Sequence, residues 1–505
     1  MIGRLWRGSV MVDTGVRVYG HPMGLRLSSA PGRWALLATV LGSSLASLDA
    51  TVVNIALPRI GRDLHTGLSG LQWTVTGYTL ALAALILLGG ALGDRYGRRR
   101  VFLVGVAWFA IASLLCALAP AAGFLIAARI LQGIGGALLT PGSLALIQAS
   151  FDPEDRARTI GAWSGLGGVA AAIGPFLGGW LVEGPGWRWA FLLNLPLAVV
   201  VILVTIRHVP ESRDDQATGR FDAMGAVLGA LALAFITFAL IGKSWISAGL
   251  GVVVAVAFVV GERRSANPML PMSVFSSRQF TAVNVVTAVV YAALGGVFFL
   301  LALQLQIGAG FSPIAAGAAL LPVTLLMLLF SSRAGALAQR IGPRWPMTIG
   351  VLVAAAGTAL MARIGPGSSY LVDVLPAVIV FGLGLSLTVA PLTATVLASA
   401  DVRRAGIASG VNNAVARAAQ LLAVAGLPVL VGLEGADYQN AAVFTAGFRS
   451  AMFVCAAGLL GGSVLSLVTV RDDALRPSPT RPLVFRPERI THCAVDGPPV
   501  ESARS

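Results

Sequence analysis

Charge is scarce in this chain. Only 11% of its 505 residues are Asp, Glu, Lys or Arg, where soluble domains carry roughly 25%. With 56% hydrophobic residues and a mean hydropathy of +0.82, the apolar surface is too large to hide in a water-soluble core. Cysteine is nearly absent as well. Cys116 and Cys455 fall in apolar runs, where a lone Cys is a small filler, and Cys493 beside His492 falls far short of a metal-site spacing. Neither a disulfide framework nor a metal centre is expected. The loops lack any paired acid/base or nucleophile constellation, which argues against an enzyme. None is long enough to form a soluble signalling domain, which argues against a membrane sensor.

What the chain does have is long apolar runs of the length that spans a bilayer as helix. Fourteen are visible, at about 34–57, 71–92, 101–119, 124–149, 159–182, 188–206, 222–241, 247–261, 280–304, 314–337, 347–364, 373–398, 406–431 and 441–470, the eighth being short. Open strands would leave unpaired backbone groups in lipid, and the ten-residue alternation of a barrel is missing. The expected fold class is therefore all-α integral membrane. The net charge of +14 does not call for nucleic acid, because its location explains it. With both termini in the cytosol, the cytosolic connections collect nearly all the loop arginines, whereas the outer loops hold only Arg59, Arg62 and Lys243. That is the positive-inside bias. Residues 1–33 are Arg-rich without an apolar core, so the first helix is expected to act as its own insertion signal instead of a cleaved peptide.

Two echoes organise the chain. "GALGDRYGRR" (90–99) follows the second run and "GALAQRIGPR" (335–344) the tenth; "GIGGALLTP" (133–141) and "GLGLSLTVAP" (382–391) recur at a similar offset. The reading is two pseudo-symmetric six-helix bundles with two helices inserted between them. The units are a cytosolic tail at 1–33, a bundle at 34–207, the inserted pair with polar linkers at 208–279, a second bundle at 280–470, and a disordered basic tail at 471–505 beside the lipid headgroups. Repeated halves point to a transporter whose binding site lies between them at the midplane.

The motifs then carry a resemblance. "LDATVVNIALP" (48–58), "QWTVTGYTL" (72–80), "GGALGDRYGRRR" (89–100), "AARILQGIGGALLTPGS" (127–143), "GGVAAAIGPFLGG" (167–179) and "WRWAFLLNLP" (187–196) occur in order. Together they resemble the fourteen-helix drug:proton antiporter branch of the major facilitator superfamily. The resemblance implies proton-coupled multidrug or antibiotic efflux by alternating access, with H+ as coupling ion and no cofactor, acting as a monomer in the cell membrane. Proton-coupled import, or handling of one specific metabolite, is the nearest rival. The fifth-helix motif is associated with exporters.

Asp49 is the only acid inside the first run, and a charge at a helix centre costs roughly 2.5–3.5 kcal/mol on insertion scales. At 1.5 Å per residue it lies about 12 Å below Leu57, while Arg129 and Gln132 lie about 8 and about 12 Å below the outer end of the fourth helix. Its wheel face carries Gly42, Ala46, Val53 and Ala56; Ser47, Thr51 and Asn54 form a separate polar stripe. Asp49 is expected to bind and release the coupling proton, Arg129 tuning it, with a static ion pair as the alternative. The resemblance implies a conformational latch at Gly93, Asp94, Arg95, Gly97, Arg98 and Arg99, with Asp94 docking on the positive N-terminus of the thirteenth helix near Gly406; a plain topology signal is the alternative. Gln339 stands where the second copy would need that acid. Gly174, Pro175, Gly178 and Gly179 are expected to form a seal or hinge, or ordinary small-residue packing. Cavity candidates are Asn54, Tyr78, Asn284, Tyr291, Phe298, Gln304, Asn413, Arg417 and Gln420. Arg417, near mid-membrane, would attract an anionic or acceptor-rich group, or be satisfied by nearby carbonyls and amides. No second deep carboxylate is present, which disfavours dications and favours neutral, weakly acidic or singly cationic amphipathic compounds.

Overall fold

The computed structural model describes residues 24–213, 222–265, 268, 270–399, 405–472 and 475. Most of the two expected tails lies outside the described residues. Fourteen helices are long and apolar enough to cross a membrane. In chain order they are α1 (Ala30–Asp63), α2 (Leu68–Tyr96), α3 (Arg98–Ala117), α4 (Ala122–Ser150), α5 (Pro153–Glu183), α6 (Trp189–His208), α7 (Ala223–Gly242) and α8 (Trp245–Arg264). After them come α9 (Arg278–Gly308), α10 (Pro313–Ile341), α11 (Arg344–Met361), α12 (Tyr370–Ala398), α13 (Ala405–Leu430) and α14 (Ala441–Thr469). Every expected span is present. The eighth is not short: α8 runs 20 residues, because Glu262, Arg263 and Arg264 end the apolar run without ending the helix. Glu262 is 2% exposed and accepts from the Leu270 amide at 2.8 Å.

Side-chain caps set several of the starts. Ser29 accepts from Gly32 N, Asp222 from Gly225 N, Ser244 from Ser247 N, Ser277 from Phe280 N and Asn440 from Ala442 N, each satisfying an amide with no partner in its own helix. Prolines interrupt several helices internally without ending them: Pro58 in α1, Pro141 in α4, Pro175 in α5, Pro391 in α12 and Pro428 in α13. Each removes one ladder hydrogen bond, and two of the freed regions are used below.

The halves α1–α6 and α9–α14 repeat one packing scheme. In the first, α4 lies against α2 and α3 and α1 against α5 and α6; in the second, α12 lies against α10 and α11 and α9 against α13 and α14. The halves meet along two seams, α2 with α13 and α5 with α10, and the inserted α7 leans on both α2 and α13. The start of α1, the ends of α6 and α14 and the two loop motifs share one face, here the Arg-rich face; the opposite end is the far face. Near the far face one apolar cluster runs across the seam, joining Val53, Leu57, Ile60 and Leu71 to Phe299, Leu303 and Phe444. Toward the Arg-rich face the first half keeps its own cluster around Tyr78, Phe102, Phe109 and Phe151.

Within the halves, small residues let backbones touch. A Cβ added at Gly384 of α12 would fall 2.3 Å from the Ala354 amide nitrogen of α11. Gly384→Leu is therefore expected to force α11 and α12 apart and destabilise by roughly 1–3 kcal/mol or more. A lowered Tm and a broadened size-exclusion profile in detergent check this; an unchanged Tm would show that the crossing is looser than described.

Candidate functional site

The structure brings Asp49, Arg129 and Gln132 into one buried network. Asp49 and Arg129 are each 1% exposed. Asp49 Oδ2 accepts from Arg129 Nη1, while Oδ1 accepts from Gln132 Nε2 at 2.8 Å and from Asn194 Nδ2 at 3.1 Å. Arg129 Nε donates to the Thr74 carbonyl at 3.1 Å, and Nη1 also reaches Gln132 Oε1. Ser113 Oγ accepts from Gln132 at 2.8 Å and from Asn194 at 3.2 Å. The Arg129 guanidinium also lies 4.4 Å from the centroid of the Tyr78 ring, a cation–π contact. Five helices of one half thus converge on a single carboxylate. Asn194 and Ser113 were not singled out from sequence, although Asn194 stands in "WRWAFLLNLP"; its helix has to be folded against α1 before its role is visible.

Neighbouring residues of α1 behave differently. The Phe102 ring of α3 fills the space over Gly42. Thr51 bonds back to its own helix and sits against Gly174 of α5. Ser47 is exposed, and the Asn54 Oδ1 atom is buried without a partner.

Hydrogen bonds between the two halves, among the described residues, all lie toward the far face. Gln72 of α2 donates to the Val424 and Ala425 carbonyls of α13 at 2.9 and 3.0 Å. The cause is local: Pro428 has no N–H to offer Val424, and the amide of Gln72 fills the vacancy from across the seam. On the other side Gln306, in the π-helical turn Gln304–Gly308, donates to the Ile55 carbonyl of α1 at 2.9 Å, beside the turn that Pro58 opens. The loops add Leu68 N to Gly435 O at 2.8 Å, Tyr438 OH to Thr66 O at 2.8 Å and Ile314 N to Glu183 Oε2 at 3.2 Å. Gly179 and Gly317 bring α5 and α10 backbone to backbone, since a Cβ would stand 2.4 Å from Pro313 O or 2.0 Å from Pro175 O. Gly174 and Gly178 instead face Thr51 and Val52 of α1, so the expected seal motif contacts its own half and the other half at once. A cleft of ≈ 780 Å³, lined by Pro58, Arg62, His65, Gln306 and Tyr438 among others, lies at the far face and contains none of the carboxylate network.

At the Arg-rich face Asp94 pairs with Arg98 at 2.8 Å; the side chains at the start of α13 near Gly406, where the latch would dock, lie outside the described residues. The acid that organises the motif is Glu211, which the sequence reading passed over. Its carboxylate accepts from the amides of Arg99 at 3.0 Å and Arg100 at 3.2 Å, at the positive N-terminus of α3. Arg98 N donates to Ser212 O, and Arg99 Nη1 to Val209 O. Gly97 has φ +108° and no room for a Cβ beside Glu211. In the second copy Gly342 has φ +93° and packs on the backbone of Asp472, just beyond α14 as Glu211 is just beyond α6, but the Asp472 Oδ1 atom is buried without a partner.

The cavity candidates divide. Gln304 donates to Ile364 O at 3.0 Å and Thr445 Oγ1 at 2.9 Å, Phe298 meets Phe381 edge-on, and Asn284 donates to Phe280 O of its own helix. In the structure these three make packing and hydrogen-bonding contacts inside the second half, the alternative role that their residue types also allow. Tyr78 belongs to the carboxylate network. Asn413, exposed, donates to Ser409 O at 3.1 Å, and Tyr291, Arg417 and Gln420 lie along the seam between α9 and α13.

Two repeated helical bundles, hydrogen-bonded to each other toward the far face among the described residues and with an ion-paired carboxylate buried in the first, form an arrangement suited to a membrane transporter. Residues 39–424 match the Major Facilitator Superfamily, and the chain belongs to that superfamily. It is 35% identical over 484 residues to a protein named probable actinorhodin transporter in Streptomyces coelicolor, covering 89% of this chain and 83% of that one. It is 38% identical over 411 residues to the puromycin resistance protein of Streptomyces alboniger, covering 78% and 81%. Among solved structures, a bacterial homologue of the human lysosomal transporter Spinster, inward-facing and unoccupied, shares the fold with a TM-score of 0.62 at 17% identity, covering 90% of this chain and all of that one.

The glutamine bridges carry a prediction. Each neutral hydrogen bond contributes about 0.5–1.5 kcal/mol net. Gln72→Ala combined with Gln306→Ala is thus expected to raise the population with a separated far face by roughly tenfold. Spin labels at Thr66 and Gln439, read by pulsed electron resonance, would show a new long-distance population. An unchanged distance distribution would mean that apolar packing alone holds the seam.

Proposed function

We propose that this protein is a proton-driven exporter of small amphipathic organic compounds, antibiotics among them. It works by alternating access in the cell membrane as a monomer, with the Arg-rich face and both termini in the cytosol. The observation that carries the reading is the Asp49–Arg129 pair: a carboxylate and a guanidinium, each 1% exposed, in the interior of a bundle whose hydrogen bonds to its partner bundle, among the described residues, lie on the far side. The far face is then the outer face, and the protein stands closed to the outside.

Asp49 has both oxygens satisfied while ionised. Adding a proton removes the charge that Arg129 balances, and Arg129 is left with Gln132, the Thr74 carbonyl and the Tyr78 face. Breaking a buried pair by removing one charge costs roughly 3–5 kcal/mol, which is enough to bias a two-state element. Burial keeps the proton from exchanging until the bundles move, so uptake and release fall on opposite sides of the membrane. The membrane potential contributes about 2.3 kcal/mol per charge per 100 mV. The coupling ion is H+, and no other cofactor takes part. Export as the direction is supported by the relatives named for resistance and export, the tetracenomycin C resistance and export protein of Streptomyces glaucescens among them.

Asp49→Asn keeps the shape and most hydrogen bonds while removing the titratable group. Gradient-driven antibiotic accumulation in everted vesicles is expected to fall to background, with the protein still folded and monodisperse. Export at the normal rate by this variant would sink the proton-carrier role and leave the static ion pair.

A further inference from the structure

Of the arginines deep in the spans, Arg129 has a counter-charge, Arg333 and Arg449 donate to backbone carbonyls, and Arg417 has neither among the described residues. Arg417 sits in the interior of α13, and among the described residues it makes no hydrogen bond and no ion pair. The acid inside the spans, Asp49, is already taken by Arg129. A partly buried cation without a counter-charge in the middle of a membrane helix is costly, so its position needs a reason.

The contacts around it say where it points. On α13, Asn412 accepts from Thr287 of α9 at 2.9 Å, and the Gln420 backbone presses on Gly295 of α9. On the other flank Gly410 meets Leu87 of α2, and Val424 O accepts from Gln72 of α2. Residues 413, 417, 420 and 424 form the stripe between these flanks and so face the interior seam between α2 and α9, that is, between the halves. The register agrees on both sides. Counting from the Gln72–Val424 bridge along antiparallel helices brings Tyr78 level with Arg417, and counting from Gly295–Gln420 along parallel ones brings Tyr291 level with it. Tyr78 is 3% exposed, its hydroxyl is buried without a partner, and its ring rests on Arg129. Toward the Arg-rich face the stripe opens at exposed Asn413, and toward the far face the Gln72 bridge closes it.

We propose that Arg417 is the recognition residue for an anionic group, a carboxylate or ionised phenol, carried by an amphipathic organic substrate that enters between the halves from the Arg-rich side. The guanidinium offers a planar fork of donors that suits such oxygens, and the substrate supplies the missing counter-charge. Exporting an anion also runs with an inside-negative potential. This rests on the export reading and names its substrate class. Because Tyr78 touches Arg129 and lies level with Arg417, the bound anion and the Asp49 proton act on one shared side chain.

The test uses the purified full-length protein with fluorescein as anionic and ethidium as cationic probe. Fluorescein is expected to bind by anisotropy, and Arg417→Gln to lower the fluorescein:ethidium affinity ratio by roughly tenfold or more, with Arg417→Lys restoring most of it. A change in this ratio is not what a loss of folding would produce, and Tm reports folding separately. Absence of fluorescein binding to the unmodified protein, or an unchanged ratio in Arg417→Gln, would overturn the proposal. The same proteins in liposomes separate the two readings: Arg417-dependent fluorescein binding without flux under an imposed pH gradient supports this inference and overturns proton-driven export.

Discussion

A carboxylate cannot stay ionised in an apolar interior unless something answers its charge, and in this protein the answer is Arg129 backed by Gln132, Asn194, Ser113 and the Thr74 carbonyl. The arrangement of the first half follows from that demand. Helices α1, α3, α4 and α6 each contribute a polar side chain at the same level, so they must hold a common register. The cost of leaving any one group unpaired is high in a medium where the partners are scarce. A network this complete also makes protonation of Asp49 consequential, because no idle partner is waiting to absorb the change.

Closure between the halves uses weaker forces. The seam is held by glutamine amides, loop backbone groups and close glycine contacts, and no ion pair joins the two six-helix halves among the described residues. Neutral hydrogen bonds of this kind are individually modest, which suits a surface that has to open and re-form. Proline does unusual service here. Pro428 frees a carbonyl inside α13, and Gln72 of the opposite half satisfies it. A proline tolerated in a membrane helix is commonly compensated from nearby; in this protein the compensation comes from the element that must move away.

The Arg-rich face shows how the repeat was kept while its letters changed. Asp94 is present in the first copy and replaced by Gln339 in the second, yet both glycine turns pack on a residue just beyond the end of their half, the Glu211 carboxylate in one and the Asp472 backbone in the other. Positive φ at Gly97 and Gly342 and the lack of room for a Cβ tie the two glycines to that docking. What is repeated is the joint between the loop and the end of the bundle.

The number of helices, their order, the inserted pair and the buried acid with its arginine at matching depth were all legible in the chain, because hydrophobic run length and rise per residue are local properties. Helix ends were less legible: α8 continues through charged residues, since a helix stops where its backbone partners run out and not where hydropathy falls. The partners of each polar group were decided only by the tertiary structure. Asn194, Glu211 and Gln72 look unremarkable in the sequence, and the partners of Gln304, Thr445 and Ile364, appear only once the helices are packed. Arg417 is the converse case, conspicuous in sequence and left without a partner by the fold. Hydrogen bonds across residues distant in the chain depend on how helices cross and rotate, and one sequence read along its length contains the spacing within a helix but not the angle between two.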